Sequence, residues 1–163
     1  MVSRTVLLDA GPLGMATNPN RSPSNLACTR WLQELIASGV RVLVPEIADY
    51  EVRRELLRAK KSRGIAKLDA LASSVGYLPL TTTAVRKAAE LWAEARQQGR
   101  PTASDQSLDA DVLLAGQALT LGSEVVIATT NVGHLSRFVA AEEWHEIRAS
   151  TTQSEPGRDQ AGD

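Results

Sequence analysis

Apolar residues along this chain fall into two rhythms. Short unbroken runs alternate with longer stretches in which apolar positions recur every third or fourth residue. The runs Val6–Leu8, Val40–Val44 (broken only by Arg41), Gly76–Leu80 and Val125–Ala128 predict buried strands, and Trp144–Ile147 reads as a last short one. Gly11 and Pro12 end the first run, and Pro79 puts the third at a sheet edge or a strand end. The periodic stretches predict helices. One starts near Ser24 or Asn25 and runs to about Ser38, with Ala27, Trp31, Leu32, Leu35 and Ile36 inward and Gly39 as its stop. Pro45 opens a second that reaches about Lys61 on a face of Ile47, Val52, Leu56 and Leu57. Others follow over Ile65–Ser73, from Thr82 or Thr83 to Gln98, and over Asp109–Leu121. The last is so apolar that it should lie deep against the sheet. Residues 13–23, 101–107 and 129–134 read as loops. From about residue 150 the only apolar side chain is Ala161, so residues 1–149 are expected to fold as one domain and 150–163 to be a disordered tail. Strands alternating with helices imply an α/β domain, a parallel sheet covered on both faces.

Composition narrows the function. The chain has 163 residues and a net charge of -1, so the molecule as a whole is no electrostatic nucleic-acid binder, and any basic surface is local. Its one cysteine, Cys28, excludes an internal disulfide and a cysteine-based zinc site, and its helical context makes it a small core residue. No segment has the apolar length of a membrane span or of a secretory leader, so the expected location is the cytoplasm. A glycine-rich phosphate loop of the P-loop or dinucleotide type is absent.

The chemistry lies in the acids. Asp9 closes the first strand, and in open α/β sheets ligands bind at that carboxyl edge. Asp109 and Asp111 open the apolar helix. The helix dipole alone can account for acids there, but Asp111 runs straight into Val-Leu-Leu-Ala and lies close to the buried face. In the helix after Pro45, Glu55 sits among arginines as a salt-bridge partner. Glu51, next to Val52, is the inward candidate, and spacing alone keeps Glu46 open as the alternative. Thr129, Thr130 and Asn131 follow a strand as Asp9 does; their oxygens suit a hard cation or its waters, and they suit a turn equally well. Ionised carboxylates ~4 Å apart repel by about 4 kcal/mol at an effective dielectric of 20, which protonation or a cation relieves. An all-oxygen ligand set selects Mg²⁺ or Mn²⁺ over zinc, and the chemistry that follows is metal-activated water attacking a phosphodiester.

Four stretches together resemble the PIN domain and, within it, the VapC-like ribonucleases. They are Leu7–Leu13, Val44–Leu56, Leu108–Ala115 and Ala128–Leu135. The resemblance spans about residues 4–148. It implies a three-layer α/β/α sandwich around a five-stranded parallel sheet of order 3-2-1-4-5, and metal-dependent cleavage of RNA. Position by position it makes Asp9, Glu51 and Asp111 the catalytic, metal-holding acids, with Asp109 a close neighbour and Thr129 in support. Asn131 stands where many members carry a fourth acid; it keeps an oxygen donor without the charge, so a second metal would bind less firmly. As partners the resemblance implies RNA as substrate, a small antitoxin protein and a second copy of the chain.

Arg53, Arg54 and Arg58 begin the densest basic run, which continues through Lys60, Lys61, Arg63 and Lys67. It either holds substrate phosphates or is a solvated helix face. His134 lies in a loop near the expected site and reads as structural before catalytic, while Trp31, Trp92 and Trp144 read as core. Two rival functions are a non-catalytic RNA-binding module, which Asn131 favours, and another Mg²⁺-dependent phosphohydrolase. A phosphatase would want a second acid on the Asp9 loop, where Ala10, Gly11 and Pro12 stand.

Overall fold

Successive side chains of a strand point to opposite faces, and in this protein both faces are covered. Val6, Leu8, Val42, Val44, Val126 and Ala128 face one core with Leu13, Cys28, Trp31, Leu35 and Leu68; Leu7, Leu43 and Ile127 face a second with Leu114, Ala118 and Leu135. The structure, a computed structural model, describes residues 4–99, 105–122 and 124–149. In chain order the elements are β1 (Thr5–Leu8), α1 (Ala10–Thr17), α2 (Pro23–Ala37), β2 (Val42–Pro45), α3 (Glu46–Arg58), α4 (Ser62–Val75), β3 (Tyr77–Leu78), α5 (Thr82–Gln97), α6 (Asp105–Leu121), β4 (Val125–Thr129), α7 (Val132–Leu135) and β5 (Ala141–Glu143), followed by a 3₁₀ turn at Trp144–Glu146.

The five strands form one parallel sheet in the order β3-β2-β1-β4-β5. Chain order reverses between β1 and β4, where Leu8 pairs with Ala128. The crevice beyond the carboxyl ends of those two strands is therefore the switch point of the sheet. α1, α2 and α4 cover one face, while α6 covers the other and packs α5 outside it. α5 and α6 approach closely because Gly116 has no side chain; a Cβ there would run into the Ala84 carbonyl.

Several expectations need correction. Residues 13–17 of the expected loop belong to α1, which starts at Ala10, because Asp9 caps it and Pro12 falls in its first turn, where no N–H is needed. The last strand is Ala141–Glu143, and Trp144–Glu146 is the 3₁₀ turn after it. Part of the expected loop at 129–134 is the helical turn of α7. α6 starts at Asp105, inside the expected loop; residues 101–104 and the expected tail at 150–163 lie outside the described residues. Trp92 is 37% exposed on the outer helix α5 rather than in the core, and Ile36 and Leu57 also face outward. Trp31 is buried, and its indole N–H donates to the Ile147 carbonyl at 2.7 Å. Trp144 packs edge-on against it.

Candidate metal centre

Asp9 sits where β1 gives way to α1, with its backbone N–H donating to the Ala128 carbonyl at 3.0 Å. Its Oδ1 accepts from the Ala10 N–H at 2.7 Å and its Oδ2 from the Thr129 hydroxyl at 2.7 Å. Thr129 is fully buried at the end of β4, and its hydroxyl also accepts from the Asn131 N–H at 2.9 Å. Thr129 thus locks the carboxylate to the neighbouring strand across the switch point. Gly11 lets the two loops close up, since a Cβ there would come 2.7 Å from the Thr130 hydroxyl oxygen.

Glu51 projects from α3 and Asp111 from α6, and both feel Asp9. Burial, then the charge of Asp9, then that of Asp111 push Glu51 up to about 7, against the pull of Arg54. Burial and Asp9 push Asp111 up to about 6, against His134 and Arg137. Asp9 is itself raised by burial, which outweighs its hydrogen bonds from Thr129 and Ala10. All three half-buried acids are raised by burial, and the charge of Asp9 raises both of the others further. Asp111 Oδ2 is buried without a hydrogen-bond partner, and the imidazole Nδ1 of His134 stands 3.7 Å away. A buried carboxylate oxygen left unpaired is costly and calls for a functional explanation.

The helix dipole does not supply one. α6 begins at Asp105, so Asp111 lies beyond the first turn, where the dipole acts. Glu46, the alternative to Glu51, is engaged elsewhere. Glu46 accepts from the Tyr77 hydroxyl at 2.8 Å and the Leu80 N–H at 2.9 Å, bonds that hold its carboxyl below the usual range. It clamps α3 to the edge strand.

Asp9, Glu51 and Asp111 are the side chains that could hold a cation. Their donors are all carboxylate oxygens, the repulsion among them would be relieved by positive charge, and Asp111 Oδ2 has a lone pair to give. Among the described residues no group of three or more acid, histidine or cysteine side chains already converges as a metal cage. A hard cation held by these three would have to keep waters between itself and part of its ligands.

The other predicted residues divide. Asp109 lines a hollow with Glu51, Tyr50 and Arg54. Arg54 acts on Glu51 and lies 5.1 Å over the Tyr50 ring. Arg54 and Arg58 line an open groove of about 590 Å³ that also takes in Glu51 and Gly11, although Arg58 is held by Glu55 at 2.8 Å. Arg53 is engaged elsewhere, in two 3.0 Å bonds to Asp49 and one of 2.6 Å to Asp69 on α4. Asn131 places its amide 2.9 Å from His134 Nδ1, linking the fourth position to the imidazole that faces Asp111. Sequence reasoning passed over Gln117. It is 1% exposed; its Nε2 donates to the Leu78 carbonyl at 2.9 Å, and its Oε1 accepts a long 3.4 Å bond from the Ile47 N–H. It ties α6, which carries Asp111, to the start of α3, which carries Glu51. The signal was available: Gln117 is the single polar residue between Val112 and Leu119.

A family model described as the PIN domain matches residues 6–150. No curated protein matches the chain in sequence. Among solved structures, VapBC2 from Rickettsia felis, bound to a DNA fragment from their promoter, aligns with a TM-score of 0.65 at 20% identity, over 85% of this chain and 97% of that one. VapBC-1 from nontypeable Haemophilus influenzae aligns at 0.65 and 18% identity, over 87% and 99%. DNA-bound VapBC from Salmonella typhimurium aligns at 0.62 and 20% identity, over 88% and 99%. At such identities the likeness is one of fold.

Proposed function

This chain belongs to the PIN-domain family, and from that premise we propose that it is a metal-dependent endoribonuclease that hydrolyses RNA phosphodiester bonds. The observation that carries the reading is the buried Asp111 oxygen without a hydrogen-bond partner, beside Asp9 and Glu51, at the switch point of the sheet. Burial and the charge of Asp9 raise both Glu51 and Asp111, a cost that a bound cation would relieve. Asp9, Glu51 and Asp111 would hold Mg²⁺ or Mn²⁺, with Asp109 and Asn131 beside them. When bound, such an ion supplies an activated water and neutralises charge building on the scissile phosphate. The chain's own residues do the rest. Thr129 fixes the Asp9 carboxylate through Oδ2 and keeps it from turning away. Arg54 offsets negative charge beside Glu51 and is placed to meet a phosphate entering the groove. His134 and Arg137 do the same beside Asp111.

The three structural neighbours are VapBC assemblies, which supports a small antitoxin as a partner and the toxin half of such a pair as the biological role. A homodimer belongs to the same reading. A second reading, a non-catalytic RNA-binding module, is favoured by one observation: the residue at the fourth position is an amide bonded to His134 rather than an acid. The deciding experiment is cleavage of a mixed RNA substrate with Mn²⁺, with Mg²⁺ and with EDTA, comparing wild type with Asp9→Asn. Metal-dependent cleavage that the variant loses is the expected result. Retention of RNA without cleavage by wild type would overturn the nuclease in favour of the binding module.

A further inference from the structure

The groove at Glu51 does not stop at the carboxylates. At Asn18 and Asn25, which line both, it opens into a second and larger trough of about 750 Å³ between α2 and α4. Among the described residues the charged side chains lining this trough are Arg21, Arg63 and Lys67, with no acid. The chain as a whole carries 18 lysines and arginines against 19 acids, so an all-cationic lining is not the background of this surface. Lys61 stands in the first groove and leads toward it. None of these four cations pairs with a described acid, whereas Arg53, Arg58, Arg4 and Lys87 all do. They are exposed, Lys61 in the groove that holds Glu51 and the other three in the trough that joins it. Leu26, Leu71 and the half-exposed Ile36 line the same trough, as do Asn20 and Gln33.

We infer that the trough between α2 and α4 is a track for single-stranded RNA, in which Lys61, Arg63, Lys67 and Arg21 take successive phosphates of a strand whose scissile bond lies at Asp9, Glu51 and Asp111. The inference rests on the nuclease reading for its substrate class. Its physical basis is charge: exposed cations without a described acid partner, in a trough continuous with the site's groove, complement a polyanion and break no ion pair to meet it. The apolar and amide side chains that share the lining offer bases contact surface and hydrogen-bonding groups. The track also relocates the phosphate contacts. Arg53, which heads the basic run, is spoken for by Asp49 and Asp69, and the second half of the run does the binding.

The test is fluorescence anisotropy of a labelled 12-nucleotide single-stranded RNA with the full chain in EDTA, so that binding is read without cleavage. R21Q/R63Q/K67Q is compared with R41Q/R86Q/R148Q, which removes the same charge from exposed sites outside the trough. The trough variant should weaken binding by on the order of tenfold or more and flatten the plot of log affinity against log salt by about 2, as expected for three lost phosphate contacts at ~0.7 each. The control should move affinity by less than about twofold. Equal loss in both variants, no loss in the trough variant, or no binding by wild type overturns the track. So does a trough variant that keeps RNA affinity but loses affinity for a poly-glutamate peptide, which would make the trough a polypeptide site. Trough-dependent binding by a wild type that cleaves nothing with Mn²⁺ would leave the track standing and bring down the nuclease.

Discussion

α3 carries two inward acids two residues apart, Asp49 and Glu51, and their surroundings are opposite. Asp49 is 9% exposed and meets Arg53 through both carboxylate oxygens, with Asp69 closing the network from α4. Glu51 is half-buried, faces two further acids, and has only Arg54 to temper them. One acid is answered by its neighbours and the other is left unanswered. The first pattern joins two helices; the second leaves a charge for something outside the chain to satisfy. Burial alone does not separate a structural acid from a functional one, and the identity of the groups that meet it does.

The comparison can be broken from either side. The largest effect should come from the unanswered cluster: Glu51→Gln should lower metal-dependent RNA cleavage on the order of a thousandfold, measured as kcat/KM, while the chain stays folded. Removing the answer to Asp49 should act on stability. Arg53→Ala leaves Asp49 buried beside nothing, and urea unfolding should show a loss of about 2 kcal/mol, tempered by the partial exposure of the arginine. Gln117→Leu orphans the Leu78 carbonyl and the Ile47 N–H and should cost a similar or smaller amount, about 1–2 kcal/mol in the same assay.

The pH dependence gives a smaller and more diagnostic signal. Glu51 and Asp111 titrate higher folded than unfolded, so the folded state binds more protons between about pH 4 and 7. Their ionisation penalises the fold fully above pH 7 and is relieved as pH falls through their folded values. Stability in EDTA should therefore rise, by on the order of 1 kcal/mol after solvent screening, as pH is lowered from 8 to 5. Glu46 has the opposite sign: its carboxyl is held low, and its contribution is lost as pH falls below about 4.5. A maximum near pH 5 is the expected outcome of thermal scans across this range. Smallest of all, Glu55→Gln removes an exposed pair with Arg58 and should change stability by no more than about 0.5 kcal/mol.

Much of this was legible in the chain. The apolar runs marked the three inner strands β1, β2 and β4 because buried parallel strands need near-continuous apolar sequence, the run holding Pro79 marked the edge strand β3, and Asp9 announced its place at the sheet's carboxyl edge by ending one. α1 was hidden because Gly11, Pro12 and Gly14 look like loop residues, and only the cap at Asp9 and the packing of Leu13 make them helical. β5 was missed because Ala141–Glu143 has no apolar run; it pairs at the sheet edge, where two glutamates are tolerated. Among the acids, spacing could not show that Glu46 is hydrogen-bonded, since its partners Tyr77 and Leu80 lie about thirty residues further on. The pairing of Arg53 with Asp69 on α4 was beyond local periodicity for the same reason.

The central claim is that Asp9, Glu51 and Asp111 form a repelling cluster kept for a cation, and thermal denaturation of wild type and Asp111→Asn at pH 7.5, in EDTA and in Mg²⁺, tests it most directly. Asp111 suits the test because its Oδ2 has no hydrogen bond to lose. The account predicts a variant more stable than wild type in EDTA, and a Mg²⁺-induced rise in wild-type Tm that the variant lacks. A variant less stable than wild type in EDTA, with no Mg²⁺ response in wild type, would show that the carboxyls support the fold and hold no metal.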